Sequence, residues 1–151
     1  MAEDSDRDAA EDRSDYSRDA DTWLKWADAT YCGASKLFRS GDAILWFPAA
    51  ILGAQALEMY LKAAVIRKGH RIVQNDVWGH DLKTLGTRLA SEGATLPAGC
   101  LNGLETFGDF FDELRYPTRL RAVQGLGDEE GDLLDQLVAV LRPLASDPEA
   151  P

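Results

Sequence analysis

The chain lacks most of the signals by which a sequence declares its chemistry. It has two cysteines, Cys32 and Cys100, in 151 residues. They are too few and too far apart for a disulfide framework or a zinc site. Each is expected as a small buried or half-buried thiol of a protein kept in a reducing compartment. There are two histidines, His70 and His80, and no carboxylate cluster accompanies them at helical ligand spacing. Neither a metal nor a cofactor is therefore expected. No serine or cysteine nucleophile is paired with either histidine. No segment alternates apolar and polar residues as a half-buried strand does, and no internal repeat is present. Cationic excess is missing too. The net charge is -10, which argues against a surface built throughout for polyanions. The N-terminus is acidic and has no apolar core, so no secretory signal is expected. The apolar run from Ala43 to Ala54 is too short to span a bilayer, and Glu58 and Lys62 interrupt its extension. These absences together predict a cytoplasmic protein without a membrane segment.

What remains is helical. Residues 1–21 hold nine acidic residues against Arg7, Arg13 and Arg18, and such a charge block is expected to be a disordered, solvated tail. Residues 22–145 read as one helical domain, and residues 146–151 as a frayed end. A first helix is expected from about Thr22 to Arg39, capped by Asp21, with Trp23, Trp26, Ala27, Ala34, Leu37 and Phe38 on its apolar face. Ser40-Gly41-Asp42 is a turn, and Asp42 can cap the second helix. That helix is apolar on almost every face from Ala49 to Gly69, which places it at the centre of a bundle. Pro48 either kinks it or marks its start. A third helix runs from near Asp81 to Gly93 on Leu82, Leu85 and Leu89. A fourth has Pro97 in its first turn and a stripe of Leu101, Leu104, Phe107, Phe111 and Leu114, and Pro117 stops it. A fifth starts at a cap on Asp128 and carries Leu133, Leu134, Leu137, Val138, Leu141 and Leu144. The fold class is all-α, an antiparallel bundle of four to five helices.

Two charges stand out within the central helix. Glu58 and Lys62 are four residues apart and share one face. Charges on a buried helix need partners, either each other or His80, Asp81 or Arg115. Antiparallel connections would gather Arg67, Lys68, His70, Arg71, His80, Asp81, Arg115, Tyr116, Arg119 and Arg121 at one end of the bundle. Cations collect at helix C-termini because the helix dipole favours them. The same cations would also suit phosphate, a nucleotide or RNA. No glycine-rich phosphate loop accompanies them.

Three strings, in this order, carry a resemblance: Ala54-Gln55-Ala56-Leu57-Glu58-Met59-Tyr60-Leu61-Lys62-Ala63, then Gly79-His80-Asp81-Leu82 with Leu85, then Arg115-Tyr116-Pro117. With the all-α pattern from about Thr22 to Leu144, they resemble the HEPN domain family of bacteria and archaea. The resemblance implies an antiparallel helical bundle, often a homodimer. It implies either a metal-independent ribonuclease of defence or toxin–antitoxin systems, or a non-catalytic module. Such modules bind a nucleotide, RNA or a partner nucleotidyltransferase. The ribonuclease branch carries an arginine followed by a histidine after four to six residues, and that motif is absent here. The expectation is a non-catalytic binding module with Glu58, Lys62, His80, Asp81, Arg115 and Tyr116 as its polar network. Arg67, Lys68, Arg71, Arg119 and Arg121 would form a basic pole. The alternatives are a ribonuclease using Arg115 and His80, which would supply a cation and a proton-transfer group, and a pure protein-interaction module.

Overall fold

The computed structural model describes residues 19–69, 81–114 and 126–147. Five α-helices and no strand occur among them, so the fold is an all-α helical bundle. Helix α1 spans Ala20–Phe38, α2 Trp46–Arg67, α3 Leu82–Ser91, α4 Cys100–Leu114 and α5 Asp128–Ser146, with a short 3₁₀ turn at Ala43–Leu45 before α2.

Local chemistry sets the ends. The carboxylate of Asp19, not of Asp21, caps α1 by accepting the N–H groups of Asp21 and Thr22 at 3.0 and 3.3 Å. Asp21 was the expected cap, but its carboxylate is drawn across to Arg67. Asp42 caps the 3₁₀ turn by accepting from Ile44 N–H at 3.1 Å. Pro48 is the third residue of α2, where its missing N–H has no intrahelical partner to lose. Gly69 follows α2 with φ 89°, the left-handed conformation that ends a helix and that side chains resist. Asp81 caps α3 through Thr84 N–H at 3.0 Å. Helix α4 begins at Cys100, so Pro97 precedes it instead of lying in its first turn. Gly127, not Asp128, is the cap position of α5, and Glu130 reaches back to accept the Gly127 N–H at 2.7 Å.

Helix α2 is the centre and touches each of the other four helices. Ala49, Ala50, Ala54, Ala56, Leu57, Tyr60, Leu61, Ala63, Ala64 and Val65 are buried along it. The alanines let neighbouring backbones come close, and the larger residues fill the spaces that remain. The stretch Ala43–Arg67 has the length and apolarity of a membrane span. Within the bundle, that apolarity serves contacts with four helices.

The side-chain contacts give the helix directions. Trp23 meets Lys62, Asp28 meets Tyr60 and Gly33 lies near Leu52, so α1 and α2 are antiparallel. Phe38 packs over Gly131 and Asp28 pairs with Arg142, so α1 and α5 are antiparallel as well. Lys83 pairs with Glu105 and Leu82 lies at Gly108, while Gly86 faces Leu101 and Leu104, so α3 and α4 form an antiparallel hairpin. Two expectations about burial do not hold. Cys32 is exposed, whereas Cys100 is buried and burial pushes its thiol pKa up. Trp26 is 64% exposed, because it lies outside the narrow seam of Ala20, Ala27, Ala34 and Phe38 that α1 turns to the core.

Candidate functional site

The apolar interior of α2 is broken by one charged pair. Lys62 is the one charged residue among the buried ones described, at 7% exposure. Its Nζ donates to Glu58 Oε1 at 2.6 Å. The helix supplies the geometry, since residues four apart stand one above the other on the same face. The same ammonium lies over the Trp23 ring of α1, 5.2 Å from its centroid. Trp23 thus belongs to this polar corner as well as to the apolar face of α1. Its indole Nε1 is buried and has no hydrogen-bond partner. A cation held between a carboxylate and an aromatic face is stabilised on two sides.

Of the other expected network members, Asp81 is within the described residues and belongs elsewhere. Its carboxylate caps its own helix through Thr84 and does not bridge to Glu58 or Lys62. A helix start has free N–H groups close by, and they outcompete a distant partner. His80, Arg115 and Tyr116 lie outside the described residues, as do His70, Arg71, Arg119 and Arg121. Of the expected basic pole, Arg67 and Lys68 are described. Arg67 is occupied structurally: Nε donates to the Ala145 carbonyl at 3.0 Å, and the guanidinium also bonds Asp21. It fastens the start of α1 and the end of α5 to the end of α2.

Two further polar clusters join α1 to its neighbours, and neither was visible in the sequence. In the first, Asp28 accepts from Tyr60 Oη at 2.6 Å and from Arg142 Nε and Nη2, both at 2.9 Å. The Arg142 pairing is bidentate, the strong form of this contact. Burial acts to raise the Asp28 pKa, but the bonds from Arg142 and Tyr60 outweigh it and hold the carboxyl below its usual value. Tyr60 is raised far above the ordinary phenol range by its burial and by Asp28, so it stays a hydroxyl donor. In the second cluster, Asp135 accepts from Tyr31 and, at 2.6 Å, from Arg39 Nη2. Burial and the Asp135 bond push the Tyr31 pKa up to about 12. Between the clusters runs a shallow, open groove of about 410 Å³, lined in part by Val138, Ala139 and Pro143.

No group of three or more His, Cys, Asp or Glu side chains placed to hold a metal ion occurs among the described residues. No family model, curated protein or solved structure matches this chain.

Proposed function

We propose that this chain is a non-catalytic, HEPN-type helical module that binds a nucleotide, RNA or a partner protein such as a nucleotidyltransferase in a toxin–antitoxin or defence system. On this reading it works as a homodimer. The observation that carries the reading is the Glu58–Lys62 pair on the central helix, 2.6 Å apart, with Lys62 buried and Glu58 largely so. Burying two charges costs several kcal/mol before their attraction is counted, and a well-packed apolar pair is often as stable. A stable core has no need of such a pair, so its presence supports a role in recognition. The pair also falls within the first of the three strings that resemble the HEPN family.

Incubation with labelled RNA tests the proposal. The parent, His80→Ala and Arg115→Ala proteins are each followed by gel for cleavage and by anisotropy for binding. Binding without cleavage by the parent is expected. Cleavage by the parent that both substitutions abolish would replace the reading with a ribonuclease that uses Arg115 and His80. Charge reversal at Arg119 and Arg121 should weaken RNA or partner binding. An unchanged affinity would leave a pure interaction module with no ligand at its basic residues. Sedimentation equilibrium checks the dimer.

A further inference from the structure

Helix α2 is not fully covered by its four neighbours. In its most apolar 18-residue stretch, 44% is buried inside the fold. Ala50, Gly53, Ala54 and Leu57 are turned to the core. Elsewhere along the helix Pro48 and Gln55 are exposed, and Ile51, Leu52 and Met59 are half-buried. These five recur at separations of three and four, so they form one stripe. Ile44, in the 3₁₀ turn four residues before Pro48, extends the stripe and is 67% exposed. Helix α1 borders the other end. Trp23 stands at Lys62 and Gly33 at Leu52. Trp26 is three residues on from Trp23, and Met59 is three back from Lys62, so antiparallel helices place these two side by side. Trp26 and Ile44 are the exposed large hydrophobic residues among those described, and they lie at opposite ends of one apolar surface. Such a surface, left open to water, marks an interaction site.

Symmetry and charge name the occupant. A twofold axis through Ile51 and Leu52, perpendicular to α2, sets a second α2 antiparallel to the first. The midpoint between Ile44 and Met59 falls at these two residues. The axis therefore lays Ile44 of each copy on Met59 and Trp26 of the other, with Pro48 against Gln55 at the step between. Each exposed side chain is covered by the other, which is the self-complementarity a closed dimer requires. Antiparallel α2 helices also set the positive end of each helix dipole beside the negative end of the other. Lys25, next to Trp26, is exposed and has no ion pair among the described residues, because Asp21 one turn before it is taken by Arg67. Asp42, two residues before Ile44, is exposed. Its Oδ1 accepts from Ile44 N–H, which leaves Oδ2 for a cation. The same axis brings Asp42 of each copy to Lys25 of the other. We infer that the face between Ile44 and Trp26, centred on Ile51 and Leu52, is where a second copy of this chain docks. This rests on the homodimer of the reading above and deepens it by naming its surface and register.

Sedimentation equilibrium of the full-length chain tests the inference, with circular dichroism melts to show that each variant folds. The parent is expected to be a dimer. Trp26→Ala should weaken it by at least about thirtyfold, the worth of a large aromatic anchor. Ile44→Ala should weaken it by about tenfold. Lys25→Glu opposes like charges at two symmetric places and should weaken it by about tenfold, less at high salt. A carbodiimide joins an amine to a carboxylate only where they touch. It should link Lys25 to Asp42 in the parent, as read from peptide masses. Within one copy these residues are about 25 Å apart along the helices, so the link can form only between copies. A parent dimer that Trp26→Ala and Ile44→Ala leave unchanged overturns this face, while the homodimer stands. A dimer weakened by both but never linked through Lys25 and Asp42 overturns the antiparallel register, and the inference with it. A monomeric parent removes the homodimer as well. If that monomer floats with vesicles of phosphatidylcholine and phosphatidylglycerol, the face belongs to a membrane instead. In each of these cases the RNA assay still decides the ligand separately.

Discussion

Asp28 shows how much a single exchange can reveal in this bundle. Its carboxylate satisfies the hydroxyl of the fully buried Tyr60 and both faces of a bidentate Arg142 contact. Asp28→Ala is expected to cost about 1–3 kcal/mol in urea unfolding, chiefly because the Tyr60 hydroxyl is left buried without an acceptor. Tyr60→Phe should cost less, about 1 kcal/mol, because it removes the donor together with its need. The reverse order would show that the hydroxyl finds another acceptor. The same residue sets an acid dependence. The Asp28 pKa is lower in the folded protein than its ordinary value, so its stabilisation is complete above the unfolded carboxylate pKa of about 3.9. It is lost as the pH falls through the depressed folded value. Asp28→Asn should therefore flatten the decline in stability on going below about pH 4, as read by urea midpoints at successive pH values. Sequence alone could not reveal this cluster, because Tyr60 and Arg142 lie 32 and 114 positions beyond Asp28 and only the fold brings them together. Glu58 and Lys62 were legible because the helix itself places residues four apart in contact. Trp23 was legible only as an aromatic of α1, since its contact with Lys62 depends on how two helices pack.

At the scale of elements, the helices were legible from apolar spacing, while their ends were decided by competition for polar groups. Asp19 and Asp21 are both acceptable caps for α1. Arg67, 46 residues away, takes Asp21 and leaves the cap to Asp19. The closeness of α3 to α4 was not readable either, because Gly86 shows no special conformation and matters only through its neighbours. A Cβ placed there would stand 2.7 Å from Leu104 Cδ1 and 2.9 Å from Leu101 Cδ2. Leu104 is fully buried, so it can move away only by disturbing the core behind it. Alanine would raise the helix propensity of α3 by about 1 kcal/mol, and the overlap would cost about 1–3 kcal/mol. Gly86→Ala is expected to destabilise on balance by up to about 2 kcal/mol in a denaturant melt. Asp81→Ala, which loses the α3 cap, should cost about 1 kcal/mol. A stabilised Gly86→Ala protein would mean that α3 and α4 can move apart without loss, which a rigid hairpin does not allow.

Across the whole molecule, two kinds of fastening divide the work. Helices α1, α2 and α5 are stitched by polar contacts at three levels: Asp21–Arg67–Ala145, Tyr60–Asp28–Arg142 and Tyr31–Asp135–Arg39. The α3–α4 hairpin meets α2 through apolar contacts such as Phe107 beside Gly53. Its described cross-link is the half-exposed Lys83–Glu105 pair, a kind of contact worth about 0–1 kcal/mol. Arg67 is the stitch with the widest reach, because it joins the ends of three helices. Helix termini fray first, and what holds them is local. Replacing Arg67 with methionine keeps much of its apolar stem and removes every donor. The Ala145 carbonyl then loses its bond from Arg67, and Asp21 is freed to move. Arg67→Met is expected to speed amide hydrogen exchange in the first turn of α1 and the last turn of α5 by about tenfold, equivalent to about 1.4 kcal/mol of lost local protection. Exchange at Leu57 and Leu61 in mid-α2, which depends on the apolar core, should speed up only as far as global stability falls. Equal acceleration of the terminal and central amides would show that Arg67 supports the bundle as one unit, and the picture of separately fastened layers would then fail.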